Sequence, residues 1–158
     1  YLIKQNIMKK YLFMIALLAS MFSFSACSDD DDEIDVKQLE GTWGLIRDEG
    51  YEYDEDGKDS WNDPYDPANP SDDSEKLIIS KISDNTYSVV HYEYYNGTWH
   101  SYATEKFTLN GNKLIPVDGD SEGFNVKLLS ANSKQLVIEI KGKDEYGDMY
   151  NKMTYKRM

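Results

Sequence analysis

From Val36 to the end of the chain, apolar and polar residues alternate in short runs, and helical spacing is almost absent. The alternation predicts about eight strands: Thr42–Tyr53, Glu75–Ile82, Thr86–Tyr95, Thr98–Leu109, Lys113–Val117, Gly123–Ser130, Gln135–Lys141 and Asp148–Arg157. Turn dipeptides separate several of them, among them Asn96-Gly97, Asn110-Gly111 and Asp118-Gly119. Links this short favour antiparallel neighbours. About eight such strands can curl into an up-and-down β-barrel, which leaves no exposed edge. A two-sheet β-sandwich is the alternative solution to the same pattern.

The Asn96-Gly97 hairpin can be read residue by residue. A two-residue turn places Tyr95 opposite Thr98, Tyr94 opposite Trp99 and His91 opposite Tyr102. One face then carries Val90, Tyr92, Tyr94, Trp99 and Ala103, and is expected to point inward. His91, Glu93, Tyr95, His100 and Lys106 fall on the other face, toward water. Glu105 lands on the inward face opposite Ser88, where burial would demand a partner or a raised pKa. Leu136, Ile138 and Ile140 share a face, as do Met149, Met153 and Tyr155, and these are expected core positions.

Asp54 to Ser74 breaks the pattern. It holds three of the four prolines, Pro64, Pro67 and Pro70, and reads as a loop of about twenty residues, long for a compact domain. Its start, Glu52-x-Asp54-x-Asp56-Gly57 with Ser60 and Asp63 beyond, has part of the spacing of a calcium loop. The first ligand is Glu where Asp is usual, and the short Asp63 replaces a bidentate Glu. No metal site is therefore assigned. His91 and His100, the only histidines, are expected as an exposed hairpin pair.

The N-terminal part has a different logic. Met8 to Ala26 starts with Lys9 and Lys10, continues through an apolar run from Leu12 to Phe24, and ends on the small residues Ser25 and Ala26. That is the layout of a secretory signal peptide at 8–26, with 1–7 read as an over-long gene start. The next residue is Cys27, the only cysteine. Phe24-Ser25-Ala26-Cys27 resembles the bacterial lipobox, with Phe24 where Leu is usual. The resemblance implies cleavage before Cys27 and acylation of it by chains of the palmitate class, anchoring the protein to a membrane. Residues 27–36 then form an acidic tether, and 37–158 the domain. The run from Ser28 to Asp35 also resembles the export signal of surface lipoproteins in one phylum of Gram-negative bacteria. That implies the outer membrane and the cell surface, with its periplasmic face as the alternative.

Charge narrows the partners. The formal net charge of −12 opposes phosphate backbones, so nucleic acid is not expected. An aromatic content of 13% is too high for a disordered acidic chain and points to a packed domain.

Several features resemble the lipocalin-like lipoproteins of Gram-negative bacteria. Gly41-Thr42-Trp43 is similar to the Gly-x-Trp opening of lipocalin barrels, and Val126–Ile140 with Met153–Met158 is similar to their closing strands. The resemblance implies that Arg157 packs over Trp43 as a cation–π contact. It also implies an anchored binding module for a small apolar or amphipathic ligand, lined by Val90, Tyr92, Trp99, Glu105, Ile138 and Met153. The alternative is a surface protein that contacts a glycan or an envelope partner through exposed aromatic rings. No convergent set of catalytic groups is apparent, so an enzyme is not expected, and neither is a cofactor.

Overall fold

The computed structural model describes residues 34–119 and 123–158. The expected signal peptide, Cys27 and the acidic run up to Glu33 lie outside the described residues. Among the described residues, nine strands form one antiparallel sheet: β1 (Gly41–Asp54), β2 (Gly57–Pro64), β3 (Glu75–Ser83), β4 (Thr86–Tyr95), β5 (Thr98–Asn110), β6 (Lys113–Pro116), β7 (Phe124–Ala131), β8 (Gln135–Lys143) and β9 (Asp148–Arg157). β1 also pairs with β9, from Trp43 against Arg157 to Tyr51 against Tyr150. That pairing closes eight strands into a barrel and sets the sandwich alternative aside.

The ninth strand corrects the expected loop. β1 is long, and only Gly41–Gly44 pairs with β3. Beyond it, Arg47–Asp54 would present an open row of backbone groups. β2 folds back to pair with them, so the expected loop shrinks to the linker 65–74. The strand was hidden because it is solvated on both faces, apart from Trp61 and Asp63, and carries no alternation to read. Tyr65 plugs the point where β1 changes partner: its N–H bonds the carbonyl of Ile46, and its ring packs on the core.

One end of the barrel is sealed. A single 3-10 turn, Val36–Gln38, is capped by the Asp35 carboxylate and brings Leu39 into the core. Trp43 is fully buried beneath it, with its indole N–H on the Leu39 carbonyl at 2.9 Å. The Arg157 guanidinium stacks 4.3 Å from the Trp43 ring, as the lipocalin resemblance implied, and donates to the carbonyls of Glu40 and Gln38. Strand β9 is thereby tied to the chain entering β1. The entering chain is held too: Ile34 bridges Ala131, and the Asp35 N–H bonds the Ala131 carbonyl.

The turn at Asn96-Gly97 forms as expected, with Tyr95 opposite Thr98 and Tyr94 opposite Trp99. The faces are the reverse of the expectation on β4. Tyr87, Val89 and His91 point inward beside Leu77 and Ile79, and His91 is only 1% exposed. Val90, Tyr92, Tyr94 and Trp99 lie on the outer face. A bulge at Tyr102 shifts the register, so His91 faces Ala103 and Glu105 faces Val89. Ala103 and Glu105 keep their inward positions, and Lys106 its outward one. The apolar face was misassigned because the outer rings bury one another. Tyr94 meets Trp99 edge-on at 5.2 Å, and Lys76 Nζ sits 4.5 Å from the Trp99 ring and 5.1 Å from that of Tyr92. The two expected core faces of β8 and β9 are as read.

Replacing Arg157 with Ala removes a cation–π contact and two charge-assisted hydrogen bonds. It is expected to cost about 2–3 kcal/mol in chemical denaturation, with Arg157→Lys recovering less than half. A loss below about 0.5 kcal/mol would show that the seal does not depend on this contact.

Candidate functional site

The barrel interior has two levels. The lower half, toward the sealed end, is apolar. Leu39, Tyr87, Phe107, Leu114, Leu128 and Ile138 are among the side chains around a cavity of about 30 Å³. That is room for about one water, and an apolar void of this size stays dry. A drug-sized ligand needs ten times as much. This half is packed core.

The upper half is polar on one wall. Glu75 continues the inward row of Leu77 and Ile79 on β3, His91 continues that of Tyr87 and Val89 on β4, and Glu105 that of Phe107 and Leu109 on β5. His91 Nε2 lies 3.3 Å from Glu105 Oε2, and the His91 ring is 5.8 Å from that of Tyr102, the bulge residue. From β1, Asp48 accepts from the Trp61 indole N–H at 2.7 Å and from the Asn151 amide at 3.0 Å. Gly50 makes room for this arrangement: a Cβ there would stand 2.7 Å from the Trp61 ring and collide with the Tyr150 carbonyl. Tyr155 is fully buried and donates to Met153 Sδ at 3.3 Å.

Three phenols report the local field. Burial raises the pKa of Tyr65, Tyr102 and Tyr155, and nearby carboxylates raise it further. Glu75 acts on all three, and Asp48 acts on Tyr65 and Tyr155. Glu75 thus lies near all three buried phenols, and Asp48 near two of them. On the neighbouring β8 and β9, Ile140, Met149 and Met153 are buried, with Asn151 between the two methionines. Such an interior suits a molecule with one polar and one apolar side.

The sequence-based lining residues divide accordingly. Glu105 is in the upper cluster, Met153 beside it, and Ile138 in the lower packed half. Val90, Tyr92 and Trp99 are outside the barrel and do not line its interior. The expected exposed histidine pair is also split: His91 is inside, while His100 is exposed and bonds Thr98 Oγ1. Asp48, Trp61, Glu75, Tyr102 and Tyr155 were missed as site residues. For Glu75 a signal existed, since it stands in phase with Leu77 and Ile79. For Asp48 none did, because a register shift after Leu45 breaks the alternation of β1. The calcium-like spacing from Glu52 to Asp63 spans two paired strands, and Asp54 accepts the Asp56 N–H across the turn. Among the described residues, no three His, Cys, Asp or Glu side chains converge on a metal position.

No protein-family model matches the sequence, and no curated protein does. Solved structures resemble it in shape. The siderocalin Ex-FABP, described as having dual ligand specificities, aligns over 77% of this chain and 71% of its own, at 10% identity and a TM-score of 0.49. Bovine odorant binding protein in complex with undecanal aligns over 82% of this chain and 77% of its own, at 14% identity and a TM-score of 0.45.

The phenols give a pH test with a definite sign. Their pKa values are higher folded than unfolded, so their contribution is intact below about pH 10 and is lost as pH rises beyond it. Ultraviolet titration of the folded protein is expected to show a late group of tyrosines that titrates only with unfolding. Tyr102→Phe should shrink that group. A single step for all 13 tyrosines without unfolding would contradict the buried cluster.

Proposed function

We propose that this chain is a lipid-anchored envelope protein whose barrel is a binding module, held to the membrane through acylated Cys27. Its ligand is a small amphipathic molecule, seated in the upper half of the barrel. The layered interior carries this reading: a lower half closed to all but about one water, beneath an upper half where carboxylates, phenols and an imidazole stand among Met149 and Met153. The polar head of the ligand faces Asp48, Glu75 and Glu105, and its apolar part lies along the methionines. His91 and Glu105 serve recognition in this reading, with no catalytic step. The lipobox resemblance and the acidic run after Cys27 support the outer membrane and its outer face.

A second reading is contact with a glycan through Tyr92, Tyr94 and Trp99. Their position on the outer face of the hairpin favours it, since rings there can stack on sugars.

Fluorescence separates the two readings, because Trp61 is inside the upper cluster and Trp99 is outside. Titration with medium-chain amphiphiles is expected to shift the emission. Trp61→Phe should abolish the shift and Trp99→Phe should leave it. The reverse pattern, obtained with oligosaccharides instead, would replace the first reading with the second. Native mass spectrometry of the purified mature protein should show a co-purified small molecule. Finding none, together with no response to any amphiphile, would contradict the interior site.

A further inference from the structure

The upper half of the barrel lacks hydrogen-bond donors. Asn151 stands inward on β9 between Met149 and Met153, and its side chain bonds Asp48 at 3.0 Å. A carboxylate only accepts, so the amide must turn its NH₂ toward Asp48. That leaves Asn151 Oδ1 buried with no donor. β5 lies four strands from β9 in either direction round the closed barrel, on the opposite wall. There Glu105 Oε2 is also buried and accepts no hydrogen bond, although His91 Nε2 is 3.3 Å away. Buried acceptors in folded proteins almost always have donors, so two without one on facing walls call for a cause.

The strand register adds a charge bias of the same sense. Asp48 and Glu52 on β1, Asp63 on β2, Glu75 on β3, Glu93 on β4 and Glu105 on β5 take inward positions. No lysine or arginine of the described strands does so in this half. Arg47, Lys58, Lys76, Lys106, Lys141 and Lys152 fall on the alternate positions and face out. Among the described inward groups of this half, His91 alone can carry a positive charge.

The two walls belong to one chamber. The Tyr155 phenol feels both Asp48 and Glu75, and the Tyr102 phenol feels both Glu75 and Glu105. Aromatic rings stand among the acids: the Trp61 indole is tied by its N–H to Asp48, and the Tyr102 ring lies beside His91. Ring faces attract cations, most strongly for tryptophan. A bare metal ion does not fit, because no three His, Cys, Asp or Glu side chains of the described residues converge on one point. Acceptors set this far apart suit an organic group that brings both charge and N–H donors.

We propose that the chamber selects an amine: the ligand's head is a primary ammonium, whose N–H groups supply the donors missing at Asn151 Oδ1 or Glu105 Oε2 and whose charge is held by the inward carboxylates. The inference rests on the interior binding site proposed above and names the chemical class of its ligand. The apolar part of the amine lies along Met149 and Met153. Each feature of the head is required. An alcohol brings a donor without charge, and a trimethylammonium brings charge without an N–H. A carboxylate meets like charge from every acidic strand position. Hydrogen bonds to an ionised donor are the stronger kind, so the primary ammonium is favoured over all three.

The test titrates the purified mature protein with four compounds that share one chain: octylamine, octyltrimethylammonium, 1-octanol and octanoate. Calorimetry reads the four affinities. Octylamine is expected to bind at least about tenfold more tightly than 1-octanol, with octyltrimethylammonium between them and octanoate weakest. Glu105→Gln keeps the shape of the side chain and removes its charge, and should cost octylamine several-fold more than it costs 1-octanol. Asn151→Leu removes the unpaired acceptor and should narrow the gap between octylamine and its trimethyl analogue. Binding of 1-octanol or octanoate as tight as that of octylamine would overturn the cationic head and leave the interior site standing. Equally tight binding of octyltrimethylammonium would overturn the need for N–H donors, and with it the primary ammonium. No binding by any of the four would overturn the interior site and this inference together.

Discussion

The pairing of β1 with β9 is the constraint on which the rest depends. An open eight-stranded sheet would leave two rows of unsatisfied backbone groups. Here nearly every described strand has two neighbours, although β2 keeps a free edge and β6 covers only the Phe107–Asn110 end of β5. The same pairing sets Arg157 over Trp43 and brings the entering chain onto the end of the barrel. Closure and sealing are thus one event, and it defines an inside. Only with an inside does His91 become buried and do Glu75 and Glu105 become partly buried in place of surface groups.

The interior then divides by what each strand can supply. Aliphatic and aromatic rows from β3, β4, β5, β7 and β8 fill the lower half almost without gap. The same rows turn polar one residue pair higher on β3, β4 and β5, while β8 stays apolar and β9 alternates Met149, Asn151 and Met153. Charges held in such a place are costly unless they find partners, which is why the polar groups come as a network: Asp48 between two donors, His91 against Glu105, and Tyr155 on Met153.

Much of the fold is legible in the amino-acid sequence. Two-residue periodicity locates eight strands within a residue or two of their ends, and the turn at Asn96-Gly97 sets the register beside it. The Gly41-Thr42-Trp43 opening points to the Arg157 contact. What stays hidden does so for physical reasons. β2 is wet on both faces, so hydrophobic patterning says nothing about it. On β4 the more apolar face is the outer one, because Tyr92, Tyr94 and Trp99 shelter each other and the alkyl stem of Lys76. The bulge at Tyr102 then makes the inner row of β5 change parity part-way along, which no turn-based register could anticipate. Part of the candidate site is lost at the same places, since patterning assigns His91 to water and gives Tyr102 no inward position.

Which face of the β4–β5 hairpin looks inward decides whether the polar cluster exists, and proton NMR reads that directly. Nuclear Overhauser contacts are expected from the His91 ring to Tyr102 and Glu105, and from the Tyr92 and Trp99 rings to the Lys76 side chain. Contacts from Trp99 to Ile138 or Met153, with His91 showing none to Glu105, would contradict this arrangement.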